Sequence, residues 1–295
     1  MRIKYRTHAI GICLFGLGGW ISGGCSVVQN TPSASSAPPS DPSEIATASP
    51  NSLEPRLGIL KLTANGEALV QEGLVSRDGW AIAFDHVYLT VEDVIVSQQK
   101  GTPSKTTEAT TQTVSLVSDP ITVDLVTPQE ESRLVLVETQ TVPVGYYNDL
   151  DWSITPTAES GAKQSGLRLI GTATKENQII AFDLNLTPEH RYTCGAFIGD
   201  SRKGFVAEND PGEVEMTIHM DHLFGDGSLP ADEAINQDSL GFGPFAAIAQ
   251  SSTLVMDQDD LQADLSAADY DTLSTALLDM GHVGEGHCTA TDLKE

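Results

Sequence analysis

From residue 58 onward the chain falls into short runs rich in Val, Ile, Leu and Thr, each closed by Gly, Pro, Asn or Asp. The runs are 58–62, 80–96, 113–125, 134–137, 151–154, 167–174, 178–186 and 213–224. Such side chains pack well on a pleated, half-buried surface, so this rhythm commits the chain to a mainly β fold. The connections point to antiparallel pairing. Glu176-Asn177 is a two-residue break between GTATK and QIIAFDLNL, which is a hairpin signal, and Val142-Pro143-Val144-Gly145 reads as a turn into the next strand. The expected architecture is an antiparallel β-sandwich. Helix signals come only late: Ser266 caps a run with Tyr270, Leu273, Leu277 and Met280 on one side, and Gly281 reads as its stop. Shorter helices are expected from Pro244 and over 259–264, giving a small C-terminal helical segment over 244–281.

The folded region is expected over 56–295, because the first 55 residues have a different character. Arg2, Lys4 and Arg6 precede an apolar run over 9–21, followed by Ser22, Gly23, Gly24 and Cys25. That pattern reads as a signal peptide over 1–24, and its glycine-rich apolar run is too short for a permanent span of about 20 residues. Small residues before a cysteine resemble the bacterial lipobox, which implies lipidation of Cys25. Ser22 stands where the lipobox prefers Leu, so ordinary signal-peptidase cleavage is the alternative. Residues 25–55 are dominated by Ser, Pro, Ala and Thr and read as a solvated tether. A lipid-anchored protein of the cell envelope, on the extracytoplasmic side, is the expectation, with the membrane as one partner. A polar stretch over 98–113 reads as a long surface loop.

Charge narrows the partners. The chain carries 41 Asp and Glu against 16 Lys and Arg, for a net charge of −25. Between Lys203 and Lys294 there is no Lys or Arg, while 18 acidic residues and His219, His222, His282 and His287 fall there. Nucleic-acid binding needs clustered cations to neutralise phosphates, so it is excluded, and this stretch would instead attract metal ions or basic partners. With Cys13 in the signal peptide and Cys25 acylated, Cys194 and Cys288 remain. In an exported chain one remaining pair reads as a disulfide, with thiolate ligation of a soft metal as the alternative.

Strand alternation orders the histidines. In a regular strand over 213–224, His222 shares a face with Val214, Met216, Ile218 and Met220, while His219 and Asp221 occupy the opposite face. His86 likewise shares a face with Ile82, Phe84 and Tyr88. The tail 281–288, GHVGEGHC, has three glycines that let neighbouring side chains converge. The expected metal ligands are therefore His86, His222, His282 and His287, with His219, Asp221 and Glu285 as secondary candidates. Imidazole and carboxylate suit Zn(II), Cu(II) or Ni(II), and thiolate would favour Zn(II) or Cu(I), so Zn or Cu is the expected cofactor. The plainer reading of each is structural: a core histidine with its hydrogen bonds satisfied, or, for the tail, a helix C-cap. The acidic loop with Asp226, Asp232 and Glu233 offers oxygen ligands for Ca(II), against the plainer reading of a solvated loop.

The segments DGWAIAFDHVYLTVEDVIV and VPVGYYNDLDWSI resemble a family of bacterial and archaeal surface lipoproteins catalogued as domain of unknown function 4382. The resemblance covers about 57–190 and implies an immunoglobulin- or transthyretin-like sandwich; it implies no reaction. The zincin, EF-hand, nucleophile-elbow, Walker and dinucleotide motifs are absent from the sequence, and no catalytic residue is assigned. The expected function is non-catalytic: capture, buffering or delivery of a divalent or transition metal ion outside the cytoplasm. The alternative is a cell-surface interaction or adhesion module, with an envelope protein or glycan as partner and structural histidines.

Overall fold

The structure, a computed structural model, describes residues 55–98, 112–126, 133–157, 164–195, 203–284 and 286–293. Two sheets share one hydrophobic core. The smaller sheet runs Gly286–His287, Gly281–Val283, Gly212–Ile218, Leu57–Asn65, Arg133–Pro143. The larger runs Thr253–Asp257, Gln178–Leu186, Leu167–Lys175, Ala81–Gln98, Asp149–Ile154, His190–Cys194, Thr289–Asp292; Leu74–Val75, Gln112–Val117 and Ile121–Asp124 also pair with its long central strand Ala81–Gln98. The mainly β class with C-terminal helices is borne out. The sheets are mixed, however: Leu57–Asn65 lies parallel to Gly212–Ile218, and Gln178–Leu186 parallel to Thr253–Asp257. Parallel neighbours need long crossovers, which here carry whole strands and helices.

Alternation shows which face is buried. In Leu167–Lys175 and Gln178–Leu186, the residues Leu167, Leu169, Ala173, Ile180, Phe182, Leu184 and Leu186 are buried, while Arg168, Asp183 and Asn185 between them are half-buried on the outer face. Phe84 and Phe182 on the inner face meet Phe224 and Phe242 at ring separations of 5.6 to 6.1 Å, and Phe245 and Trp80 extend the cluster. This aromatic group fixes the acidic C-terminal region to the larger sheet. Such pairs contribute roughly 0.5–1.5 kcal/mol each beyond area burial.

The helical segment differs in detail from the expectation of 244–281. Short helices Asp221–Phe224 and Ala234–Asp238 precede it, and strand Thr253–Asp257 separates Gly243–Ile248 from Gln258–Asp264 and Ala267–Asp279. Ser266 caps the last helix as expected, its Oγ accepting from the Asp269 N–H at 3.2 Å. The helix ends at Asp279 with Met280 as its C-cap, so Gly281 follows it as expected and there opens a strand. The acidic loop with Asp226 is tied to Asn236, whose side chain accepts from Asp226 N and donates to the carbonyls of Asp226 and Pro230. That loop is a self-bonded turn, in keeping with the plainer reading.

The final residues join the two sheets. Gly281–Val283 pairs with Gly212–Ile218 in the smaller sheet, and Thr289–Asp292 pairs with His190–Cys194 in the larger. Between them Cys194 and Cys288 form the expected disulfide, across a sequence separation of 94. A crosslink over so long a loop is worth about 2–5 kcal/mol in the chain-entropy view. Tyr192, buried and stacked on Trp152 at 4.4 Å, donates its hydroxyl to the Leu277 carbonyl at 2.6 Å. Burial and the nearby Asp279 charge push its phenol pKa up, so it remains a donor.

Gly281 passes directly over the Tyr192 ring, and a Cβ there would collide with it. Gly281→Ala is therefore expected to lower the urea midpoint, by about 1–3 kcal/mol of stability as in other overpacked sites. An unchanged midpoint would show that the tail does not pack on Tyr192.

Candidate metal centre

Four histidines of the cation-free stretch come together where the tail meets the end of Gly212–Ile218. The strand stops at Ile218, the His219 N–H donates to the Met280 carbonyl at 3.0 Å, and the chain enters the helical turn Asp221–Phe224. His219 and His222 therefore do not diverge as they would in a continued strand; three residues apart around a turn, they lie on one side, with ring centroids 6.2 Å apart. On the tail, Gly284 at φ 54° begins the connection of a hairpin in which His282 and His287 are cross-strand partners. Their rings lie 4.1 Å apart.

His282 is the hub. It is 2% exposed, stacks on His219 at 3.9 Å and 19°, and places Nε2 3.1 Å from His222 Nε2. The same Nε2 lies 3.1 Å from the Asp279 carbonyl, and Nδ1 is buried without a hydrogen-bond partner among the described residues. His219 Nε2 lies 3.3 Å from the Gly284 carbonyl and 3.5 Å from Glu67 Oε1, while its Nδ1 is 3.8 Å from Asp221 Oδ1. A carbonyl can only accept, so these contacts fit Nε2–H tautomers, and ligation through His282 Nε2 would move that proton to the unpartnered Nδ1. The ring of exposed His287 lies 5.1 Å from that of His222 and closes the outer side.

Burial favours the neutral form of two of these rings, His282 and His222. Burial, and then the neighbouring His219, His287 and His222, push the His282 pKa down to about 3. Burial also lowers His222, against the opposing pull of Asp221. Neutral imidazoles present lone pairs, which is the state that ligates a metal. One ligand atom from each of His219, His222 and His282 lies within 4.8 Å of the others. Two nitrogens about 2.0–2.1 Å from one tetrahedral ion stand about 3.4 Å apart, close to the His222–His282 separation.

The expected ligand set is thus corrected at one position and left open at others. His222 and His282 converge, His287 flanks them, and His219, a secondary candidate, is at the centre. His86 is elsewhere. A bulge between Phe84 and His86 adds one residue to the strand, so Asp85 and His86 are both exposed and Val87 is buried. His86 pairs instead with Asp124, Nδ1 to Oδ2, at 2.7 Å, and stacks on Tyr88. Glu285, Cys25 and the segments 1–24 and 25–54 lie outside the described residues. The cysteines are bonded to each other, which leaves the thiolate alternative without ligands. The spacing His219-Met220-Asp221-His222 carried the missed signal, since an i, i+3 pair aligns as soon as the strand gives way to a helical turn.

These features define a mixed β-sandwich carrying a histidine cluster on its C-terminal extension. Residues 79–194 match the model of the family described as Domain of unknown function (DUF4382). The family resemblance is borne out over that segment, and all four clustered histidines lie beyond it. No curated protein and no solved structure matches the chain.

An imidazole neutral in the fold but protonated when unfolded makes stability fall as pH falls. The window for His282 opens near 6.5 and extends down towards about 3. Between about pH 7 and about pH 5 the chain is expected to lose more stability than its His282→Asn variant, measured by urea unfolding. Equal pH slopes for the two would contradict a neutral buried His282.

Proposed function

We propose that this chain is a non-catalytic metal-binding lipoprotein of the cell envelope, holding Zn or Cu at His219, His222 and His282, with His287 completing the shell. The observation that carries the reading is the 3.1 Å approach of two imidazole nitrogens, His222 and His282, inside a cluster of four histidines. Two further features support it. The surrounding stretch has no Lys or Arg to repel a cation, and its acidic side chains raise the local cation concentration. The Gly284 carbonyl stands where it would accept from His219 Nε2–H and orient that ring for ligation through Nδ1.

Capture, buffering or delivery of the ion is the role that fits, with Cys25 as the lipidated anchor and 25–55 as the tether. Backbone carbonyls, imidazoles and the carboxylates of Glu67 and Asp221 surround the cluster, and among the described residues no nucleophile–base pair is formed there. A second reading, an interaction module with structural histidines, is favoured by the 3.9 Å His219–His282 stack, which is a packing arrangement in its own right.

Zinc titrated into metal-free protein is expected to bind at one equivalent. His222→Ala should weaken it by about 10–100-fold or more, as loss of a ligand does. His86→Ala should leave it unchanged. No stoichiometric zinc or copper, or equal affinity in the His222 variant, would remove this reading in favour of the second.

A further inference from the structure

The outer face of the larger sheet carries a second built feature, independent of the histidine cluster. Strand register sets Asp257 opposite Asn185, Asn185 opposite Arg168, Arg168 opposite Tyr88, and Tyr88 opposite Asp124. Five neighbouring strands thus contribute one continuous cross-strand row. At a strand spacing of about 4.8 Å the row is roughly 19 Å long. It floors a cleft of about 650 Å³, with Thr157 and Ser165 on its margin and Met256 and Asp260 also lining it.

We propose that this cleft binds a neutral oligosaccharide chain laid across the strands. The reasons lie in how its polar groups are committed. Asp183 is held by a two-pronged contact from Arg168, Nε and Nη2 each at 2.8 Å. Asp124 accepts from Val87 N and Val126 N and pairs with His86. Asp257 and Asp260 cap the helix Gln258–Asp264 reciprocally. Every carboxylate of the cleft therefore has a partner inside the fold, fixed in place and partly neutralised, which argues against a cation as the ligand.

Asp124 Oδ1 is filled by its two N–H donors, while Asp124 Oδ2 and the oxygens of Asp183 and Asp260 keep acceptor capacity beyond those bonds. Asn185 donates to the Gln164 carbonyl, while its Oδ1, like Ser165 Oγ, has no hydrogen-bond partner among the described residues. A ligand that brings hydroxyl groups answers these acceptors and can accept in turn from the remaining Arg168 and Asn185 N–H groups. Tyr88 lines the middle of the row; His86 covers one face of its ring at 5.1 Å and 13°, so a sugar ring would pack its C–H face on the opposite side. A uronate or sulfated chain would meet the acidic groups and be repelled.

The test uses the full exported chain in isothermal titration with linear neutral hexasaccharides of glucose, mannose, galactose and xylose. A hexa-uronate and a hexalysine peptide form the comparison arms. At least one neutral hexasaccharide is expected to bind while the hexa-uronate does not. Tyr88→Ala should weaken that binding about tenfold, with Tyr88→Phe close to the original, and Asn185→Ala should weaken it severalfold. Hydrogen exchange would place the protected amides on the strands of the row even if a variant were too unstable to titrate. The proposal fails if no neutral hexasaccharide binds at millimolar concentration, if Tyr88→Ala binds as well as the original, or if hexalysine alone binds, which would make the cleft a basic-peptide site.

Discussion

The tail strands between residues 281 and 292 belong to both sheets, and the rest of the structure depends on that crossing. One tail segment, Gly281–Val283, extends the smaller sheet, the next, Thr289–Asp292, extends the larger, and the Cys194–Cys288 bond sits at the transfer between them. A four-residue terminal strand pairing with a single neighbour would fray alone, since a few exposed backbone bonds do not offset ordering entropy. The crosslink removes that option. It fixes the register of the hairpin that holds His282 and His287, and it holds the helix Ala267–Asp279 against Tyr192. The histidine cluster is thus a product of chain topology: two residues from the end of one strand and two from a tail that arrives more than sixty residues later.

Packing four imidazoles in contact has an electrostatic consequence. They cannot all be charged, and burial disfavours even one charge on His282. The acidic residues around them pull the other way, as Asp221 does on His222. A cation bound among neutral imidazoles resolves both tensions, because it supplies the positive charge that the acidic surroundings favour without protonating a ring. That is the physical content of the proposed metal centre. The outer cleft resolves its charges differently, by pairing each carboxylate with an arginine, a histidine or a backbone amide. One chain therefore presents an acidic region with unclaimed lone pairs and another whose acids are already claimed.

Much of the fold was legible in the sequence, because alternation and turn residues report sheet faces directly. The hairpin at Glu176-Asn177, the cap at Ser266 and the cysteine pair follow from local chemistry or from counting. The parallel pairings were not legible, since nothing local to Leu57–Asn65 or Thr253–Asp257 encodes a distant neighbour. The site was half legible. His282 and His287 were singled out by the glycines around them, and His222 by its apolar companions. His86 was misplaced because one bulge residue reverses every face after it, and a bulge leaves no period-2 signature. His219 ranked only second because the strand was carried six residues too far, to Phe224 instead of Ile218. Errors of this kind concentrate where regular structure ends, which is also where the side chains converge.

X-ray absorption at the zinc edge, on protein loaded with one equivalent, distinguishes the proposed imidazole centre from its alternatives. Ligation by the histidine cluster gives a first shell of nitrogen at about 2.0–2.1 Å with the outer-shell scattering of at least three imidazoles and no sulfur. A shell at about 2.3 Å from sulfur would mean that Cys194 or Cys288 ligates instead of closing the disulfide. An oxygen-only shell would place the ion among the surface carboxylates and leave the histidines as packing.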